Sequence, residues 1–598
     1  MKIVKRQEVE ERLTWDLTHL VQNDRELEAR FAKLEVETQD FVRDFSGKLA
    51  EPKKLTAALC EFRRITQEAG TLYVYAHLAQ SVDMGSPEAN RRYMEVAGRM
   101  GGLYAQLSFL ESETARLDDP ILEQAKIEEP KHAPYLDEIL RAKPHMLSPE
   151  TESVLAALDH SLDAPYEIYQ QSKLVDISFE DLVINGKNIP LSYNIFEGIM
   201  ESEGDTKIRR AAYQAFYDKL ADYQHTTAAC YNATLQRDKV MSQLRGFDNI
   251  YDYLLFDQQV DRELHDRQIN LIMNELAPHM RKYASIIKRV HGLDKMTYAD
   301  LKLNLDTEVP ATISIEEAKN FILEGLSAFG EEYQQMVERA FEERWIDFAN
   351  NEGKSTGAFC SSPYGVHSYI LINWTGLMEE VLVLAHELGH AGHNYLAQQE
   401  QSNLTTHTSL YFVEAPSTAN EIIMETHLLK NAKTPEQRRW VLSQIIARTY
   451  YHNFVTHLLE AAYQQEVYRI IDAGGSVQAS TLNDIFRRVL ETFWGPDVEI
   501  PEGSERTWMR QPHYYRGLYP YTYSAGLTIG TQVAKRITEE GEPAIQDWLK
   551  TLRAGGSLPP VELAKLAGVD ITTDQPLRDT IAFIGETIDE LDRSFGDV

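Results

Sequence analysis

Apolar residues recur at three- and four-residue spacing, with charges between them, through 24–46, 53–80 and 87–115. That period predicts an amphipathic helix over each stretch. The segment 205–245 shows it most plainly. Ile208, Ala212, Phe216, Leu220 and Tyr223 fall on one stripe, and Asp205 or Thr206 is placed to cap its start. Residues 261–291, 314–346, 434–472, 523–538 and 574–594 repeat the pattern.

Two places break it. Residues 174–193, LVDISFEDLVINGKNIPLSY, hold two β-rich runs around Asn185-Gly186, a dipeptide suited to the positive φ of a hairpin turn. Residues 357–374, GAFCSSPYGVHSYILINW, predict a strand over Tyr369–Ile372 after a turn marked by Pro363 and Gly365. The edge of the 369–374 strand could accept a peptide backbone as an extra strand, unless the strand is fully paired in the core. A soft boundary falls near 195–205. The expectation is a helical N-terminal domain over 1–200, ending in the hairpin, and a second domain over 201–598. There is no fixed-period repeat and no low-complexity segment.

A chain of 598 residues with 43% hydrophobic residues can bury a sizeable core. Its 92 acidic against 60 basic residues give a net charge of −32, without the basic stripe a nucleic-acid binder needs. This argues against nucleic acid as the main partner; solubility is the ordinary consequence of the acidity, with a preference for cationic peptides as the alternative. Cys60, Cys230 and Cys360 are too few and too scattered for a disulfide framework, which points to a reducing compartment. The first residues lack the apolar core of a signal peptide. No apolar run approaches the roughly 20 residues of a membrane span. These features lead us to expect a soluble, cytoplasmic protein with no membrane partner; oligomeric state leaves no trace in the pattern.

Chemistry concentrates at Val381-Leu-Val-Leu-Ala-His386-Glu387-Leu388-Gly389-His390, an H-E-x-x-H sequence. The apolar run predicts a buried helix, with Thr375 as cap and Glu379 and Glu380 near its start. Residues four apart share a helical face, so both imidazoles reach one ion at about 2.0–2.1 Å. Glu387 projects beside that face, where it can act as general base on a water. Gly389, costly inside a helix, leaves room for another element to approach. A catalytic zinc takes three protein ligands and keeps one position open. His393 stands seven residues past His386, about 10 Å along the axis and too far for both to bind one ion, and is assigned to packing or to support of a ligand from behind. Glu414, in Phe412-Val-Glu414-Ala-Pro-Ser417, follows His390 by 24 residues, enough for a loop and a return. Pro416 and Ser417 read as the start of the next helix. Glu421 and Glu425 lie on roughly the same face. Glu421 is either an alternative ligand or the acceptor for a ligand histidine's outer N–H.

HELGHAGH followed by FVEAPS resembles the thimet-oligopeptidase superfamily of zinc peptidases, and GAFCSSPYG…ILINW before the metal helix resembles its oligoendopeptidase F branch. The resemblance implies one zinc per chain on His386, His390 and Glu414, with Glu387 as base. It implies a mainly α, two-lobed body with a deep central channel, acting on short peptides; the small β-sheet would sit next to the metal helix. A second region, Trp508-Met-Arg-Gln-Pro-His513-Tyr-Tyr-Arg-Gly-Leu-Tyr519-Pro-Tyr521-Thr-Tyr523, corresponds to where family members carry a histidine and tyrosines that stabilise the oxyanion. Its His-to-Tyr spacing is shorter than in the thimet branch. The expected residues are His513 and Tyr523, with Tyr519 next, since a tyrosine hydroxyl stays protonated near neutral pH.

The expected function is a zinc-dependent endopeptidase that hydrolyses short oligopeptides by glutamate-assisted attack of a metal-activated water. Two alternatives stand beside it. A carboxypeptidase-like exopeptidase would need a charged clamp for a chain end, which the sequence does not disclose. A peptide-binding protein without catalysis would have no use for Glu387.

Overall fold

The stripes over 24–46 and 53–80 form helices Asp24–Phe45 and Pro52–Ser81, and 87–115 divides at Ser108 into Pro87–Leu107 and Phe109–Thr114. The computed structural model describes residues 4–184, 186–305 and 312–596. Helices dominate it. The 205–245 segment is two helices, Thr206–Ala221 and Gln224–Leu244. The first is capped by Asp205, whose carboxylate accepts the backbone N–H of Lys207 and Ile208. Ala212, Phe216 and Leu220 are buried along it.

The stretch 434–472 departs from a plain helix. Pro435–Gln444 and His457–Asp472 are α-helical, but Ile445–Thr456 between them is a π-helix. A π turn carries more residues than an α turn, and such bulges gather at functional sites.

The hairpin lies within 174–193, with β1 (Leu182–Ile184) antiparallel to β2 (Lys187–Ile189) and Leu182 opposite Ile189. Gly186 takes φ 75° in its turn, while Asn185 lies outside the described residues. The first β-rich run is a strand only at its end: Ser172–Asp176 extends the preceding helix as a π turn. Leu174 and Val175 are exposed there.

The second sheet has three strands, β3 (Ile346–Asp347), β4 (Phe359–Ser361) and β5 (Tyr369–Leu371), in the order β3-β5-β4. β5 runs parallel to β3 and antiparallel to β4. Being central, it has no free edge, which overturns the expectation that the Tyr369 strand could receive a peptide backbone. The sheet's edge on that side is β4.

Successive strand side chains point to opposite faces. Tyr369 and Leu371 join a hydrophobic core built from residues between Trp15 and Ile139. Ile370 and Ile372 join a larger core that runs from Tyr169 to Leu591. The same sheet binds the chain's beginning: buried Asp347 accepts hydrogen bonds from Arg6 at 2.5 Å and from Lys354 at 2.7 Å.

Candidate metal centre

The helix Met378–Glu400 carries the H-E-x-x-H residues and leaves the sheet through a short turn. Thr375 is not its cap. The Glu380 carboxylate folds back to accept the N–H groups of Thr375, Gly376 and Leu377 at 2.8, 2.8 and 3.1 Å. One side chain from the first turn thus satisfies backbone donors that a preceding residue normally serves.

His386 and His390 stand one turn apart with ring centroids 5.0 Å from each other. Gly389, on the same helix, meets the next one: a Cβ there would lie 2.5 Å from Ser417 Cα and 2.6 Å from the Pro416 carbonyl oxygen. That close approach sets the helix Ala415–Asn431 against the metal helix and puts Glu414, its N-cap residue, between the histidines. Glu414 Oε2 is 3.4 Å from His386 Nε2 and 3.5 Å from His390 Nε2. Ligand atoms about 2.0–2.1 Å from a tetrahedral ion are separated by about 3.3–3.4 Å, so the three groups fit a zinc-sized cation. Burial opposes a charge on Glu414, but His390 and His386 outweigh it and hold its pKa well below the usual carboxylate range. An ionised oxygen beside two imidazoles is the donor set that suits such a metal.

Glu421, left open as a ligand or an outer acceptor, occupies the second position. Its Oε1 lies 2.5 Å from His386 Nδ1, leaving Nε2 of that ring turned toward Glu414. Thr449 Oγ1, from the π-helix, reaches Glu421 Oε2 and Glu425 Oε1, both at 2.9 Å. His393 is buried, and burial pushes its pKa down to about 3. It packs near Phe412, with centroids 6.5 Å apart, away from the three clustered donors.

Glu387 is 6% exposed and lines a cavity of about 890 Å³ together with His386, Glu414 and Tyr523. Burial raises its pKa against the opposing influence of His386 and His390, a shift toward the range useful for proton transfer. Ala358, just before edge strand β4, lines the same cavity.

Tyr523 lies in the first turn of helix Tyr521–Glu540. Its ring is 5.6 Å from His513 and 5.2 Å from Tyr519, and His513 is 5.5 Å from Tyr519. The structure therefore brings all three together, and of them Tyr523 lines the cavity. Burial, with Tyr519 alongside, pushes the Tyr523 hydroxyl's pKa up, so it remains a donor.

Behind them stands a group that sequence reasoning missed. Buried Glu460 accepts from His457 Nδ1 at 2.9 Å and faces His513 Nδ1 at 3.5 Å. His457 stacks on Tyr523 at 4.0 Å. His452 and His457 are five apart, a spacing the π-helix brings to one face, and their Nε2 atoms are 3.1 Å apart. The signal in the sequence was His457 and Glu460, three apart on one helical stripe, with His452 shortly before them.

Peptidase family M3 matches residues 199–583, more than half of the chain, and includes the whole donor set. The chain belongs to peptidase family M3. A second match, Oligopeptidase F, covers residues 113–179. Oligopeptidase PepF of Bacillus subtilis is 27% identical, over 98% of this chain and 88% of that protein. Group B oligopeptidase PepB of Streptococcus agalactiae is also 27% identical, over 98% of both. The crystal structure of oligoendopeptidase-F from Enterococcus faecium superposes with a TM-score of 0.74 at 23% identity, covering 96% of this chain and 99% of that one, a likeness of fold. This M3 peptidase is thus a hydrolase of peptide bonds, and the resemblance to the oligoendopeptidase F branch holds. None of its described helices is long and apolar enough to cross a membrane.

Proposed function

We propose that this chain is a zinc-dependent endopeptidase that cleaves internal bonds of short oligopeptides in the cytoplasm. The observation that carries the reading is the convergence of His386, His390 and Glu414 donor atoms, all within 4.8 Å of one another, beside buried Glu387 in a large cavity. The three cysteines are free, in keeping with a reducing compartment. The N-terminal domain would span 1–200 and the catalytic one 201–598.

Zinc bound by these three groups would supply Lewis acidity toward a water and the scissile carbonyl. Glu387 takes the attacking water's proton and returns it to the leaving amine. His513 and Tyr523, with Tyr519, donate to the oxygen on which negative charge develops. Glu421 holds His386 in the tautomer that directs Nε2 toward Glu414.

The test is Glu387→Gln with an internally quenched peptide. The variant is expected to retain metal by elemental analysis and to lose nearly all turnover, and sustained turnover would refute the role. His390→Ala should release the metal. Product masses from a peptide acetylated at one end and amidated at the other separate internal cleavage from trimming of an end.

A further inference from the structure

Four cations line the cavity that holds His386 and Glu387: Lys173, Lys302, Arg448 and Arg510. Three have carboxylate partners. Lys302 pairs with Glu201 at 2.6 Å, and Arg448 pairs with Glu379. Arg510 sits between Glu197 at 3.0 Å and Glu201 at 2.8 Å. Lys173 differs. Its Nζ donates to the Arg510 carbonyl oxygen at 2.5 Å and lies 5.0 Å from the Tyr193 ring centroid. Among the described residues no carboxylate comes within ion-pair distance of it.

An ammonium has three donors, and among the described residues only one of them meets a protein acceptor. Holding a cation in a partly buried site without a counter-charge is costly. Burial accordingly pushes the Lys173 pKa down, with Glu197 working the other way. On this stretch of wall Lys302 and Arg510 share Glu201, and Arg510 also takes Glu197, which leaves Lys173 as the cation without a paired carboxylate. An ammonium left unpaired on a cavity wall favours an anionic group of the ligand as its partner. The lysine is poorly placed to be structural glue, because its one hydrogen bond among the described residues is to a backbone carbonyl that a neutral donor would serve as well.

We propose that Lys173 forms a carboxylate-binding subsite of the cleft, taking a carboxylate of the bound peptide. The carboxylate comes either from the peptide's C-terminus or from an acidic side chain. The inference rests on the peptide-cleaving reading above for its ligand, but not on turnover. A C-terminal carboxylate held here would fix how far from the chain end the bond beside Glu387 lies. It would supply the charged clamp that sequence reasoning could not find.

The experiment measures binding in a background that does not turn over, metal-loaded Glu387→Gln, by isothermal titration. Three N-acetylated peptides of one sequence are compared: the free C-terminal acid, its amide, and the amide with one residue near the end replaced by glutamate. At least one of the two carboxylate-bearing peptides should bind about tenfold or more tightly than the plain amide, the gain typical of a charge-assisted hydrogen bond. Adding Lys173→Met, which keeps the stem but removes the charge, should abolish that preference, and Lys173→Arg should restore it. Which peptide gains identifies the source of the carboxylate. Equal affinity for all three, a preference that survives Lys173→Met, or a uniform loss on every peptide would overturn the subsite. If the preference holds while the unmodified protein cleaves none of the three, the peptidase reading fails and the subsite stands.

Discussion

Gly526 and Glu414 stand so close that no side chain fits between them: a Cβ on Gly526 would lie 2.8 Å from Glu414 Cβ. The helix that presents Tyr523 therefore packs directly on the residue that completes the donor set. Gly526→Ala should displace Glu414 and weaken metal binding while the fold persists. A chelator competition on purified protein checks this, and an unchanged metal affinity would show that the backbone absorbs the methyl group.

Glu421 touches the metal site only through His386. Glu421→Ala frees that imidazole to rotate and to change tautomer. Loss of such an outer partner typically costs about 10–100-fold in metal affinity. The same competition assay reads it, and Glu421→Gln, which keeps an acceptor oxygen, should recover part of the loss.

Tyr523→Phe removes one hydroxyl from the cavity wall and leaves the ring that stacks on His457. Turnover should fall by about 100-fold or more with little change in KM, as when one oxyanion donor is removed. A variant with unaltered kcat would transfer that role to Tyr519 or His513.

Burial alone would raise the Glu460 pKa, but His457 and His513 overcome it and bring it from 4.5 to about 2. A carboxyl with a folded pKa below its unfolded one stabilises the fold fully above about pH 4.5. That contribution disappears as pH falls toward 2, and amounts to about 3 kcal/mol at most. Urea midpoints followed from pH 6 to 3 should drop along this window. Glu460→Gln should flatten the drop.

Much of this was legible in one dimension. The 3.6-residue period marked nearly every long helix because a helix that buries one stripe must repeat it. His386, Glu387 and His390 were legible because their geometry is local, fixed by one helical turn. Gly389 was legible as a point of contact, since a glycine in mid-helix needs a reason. What escaped was set by tertiary partners. The cap of the metal helix passed to Glu380, which reaches backward, instead of Thr375. The central place of β5 depends on β3, a two-residue strand too short to leave a periodic trace. The π-helix at Ile445–Thr456 changes which residues share a face, so α-helical spacing relates His457 to Glu460 but does not bring His452 to them. Lys173 looked like any surface lysine until the fold carried it to a cleft wall 213 positions before His386.

Strand β5 commits Tyr369 and Leu371 to one interior and Ile370 to the other. Such a rivet leaves neither half free to melt or swing by itself at that point. Any opening of the cleft has to pivot elsewhere, and damage to the first 140 residues reaches the platform beneath the metal helix without crossing the cleft.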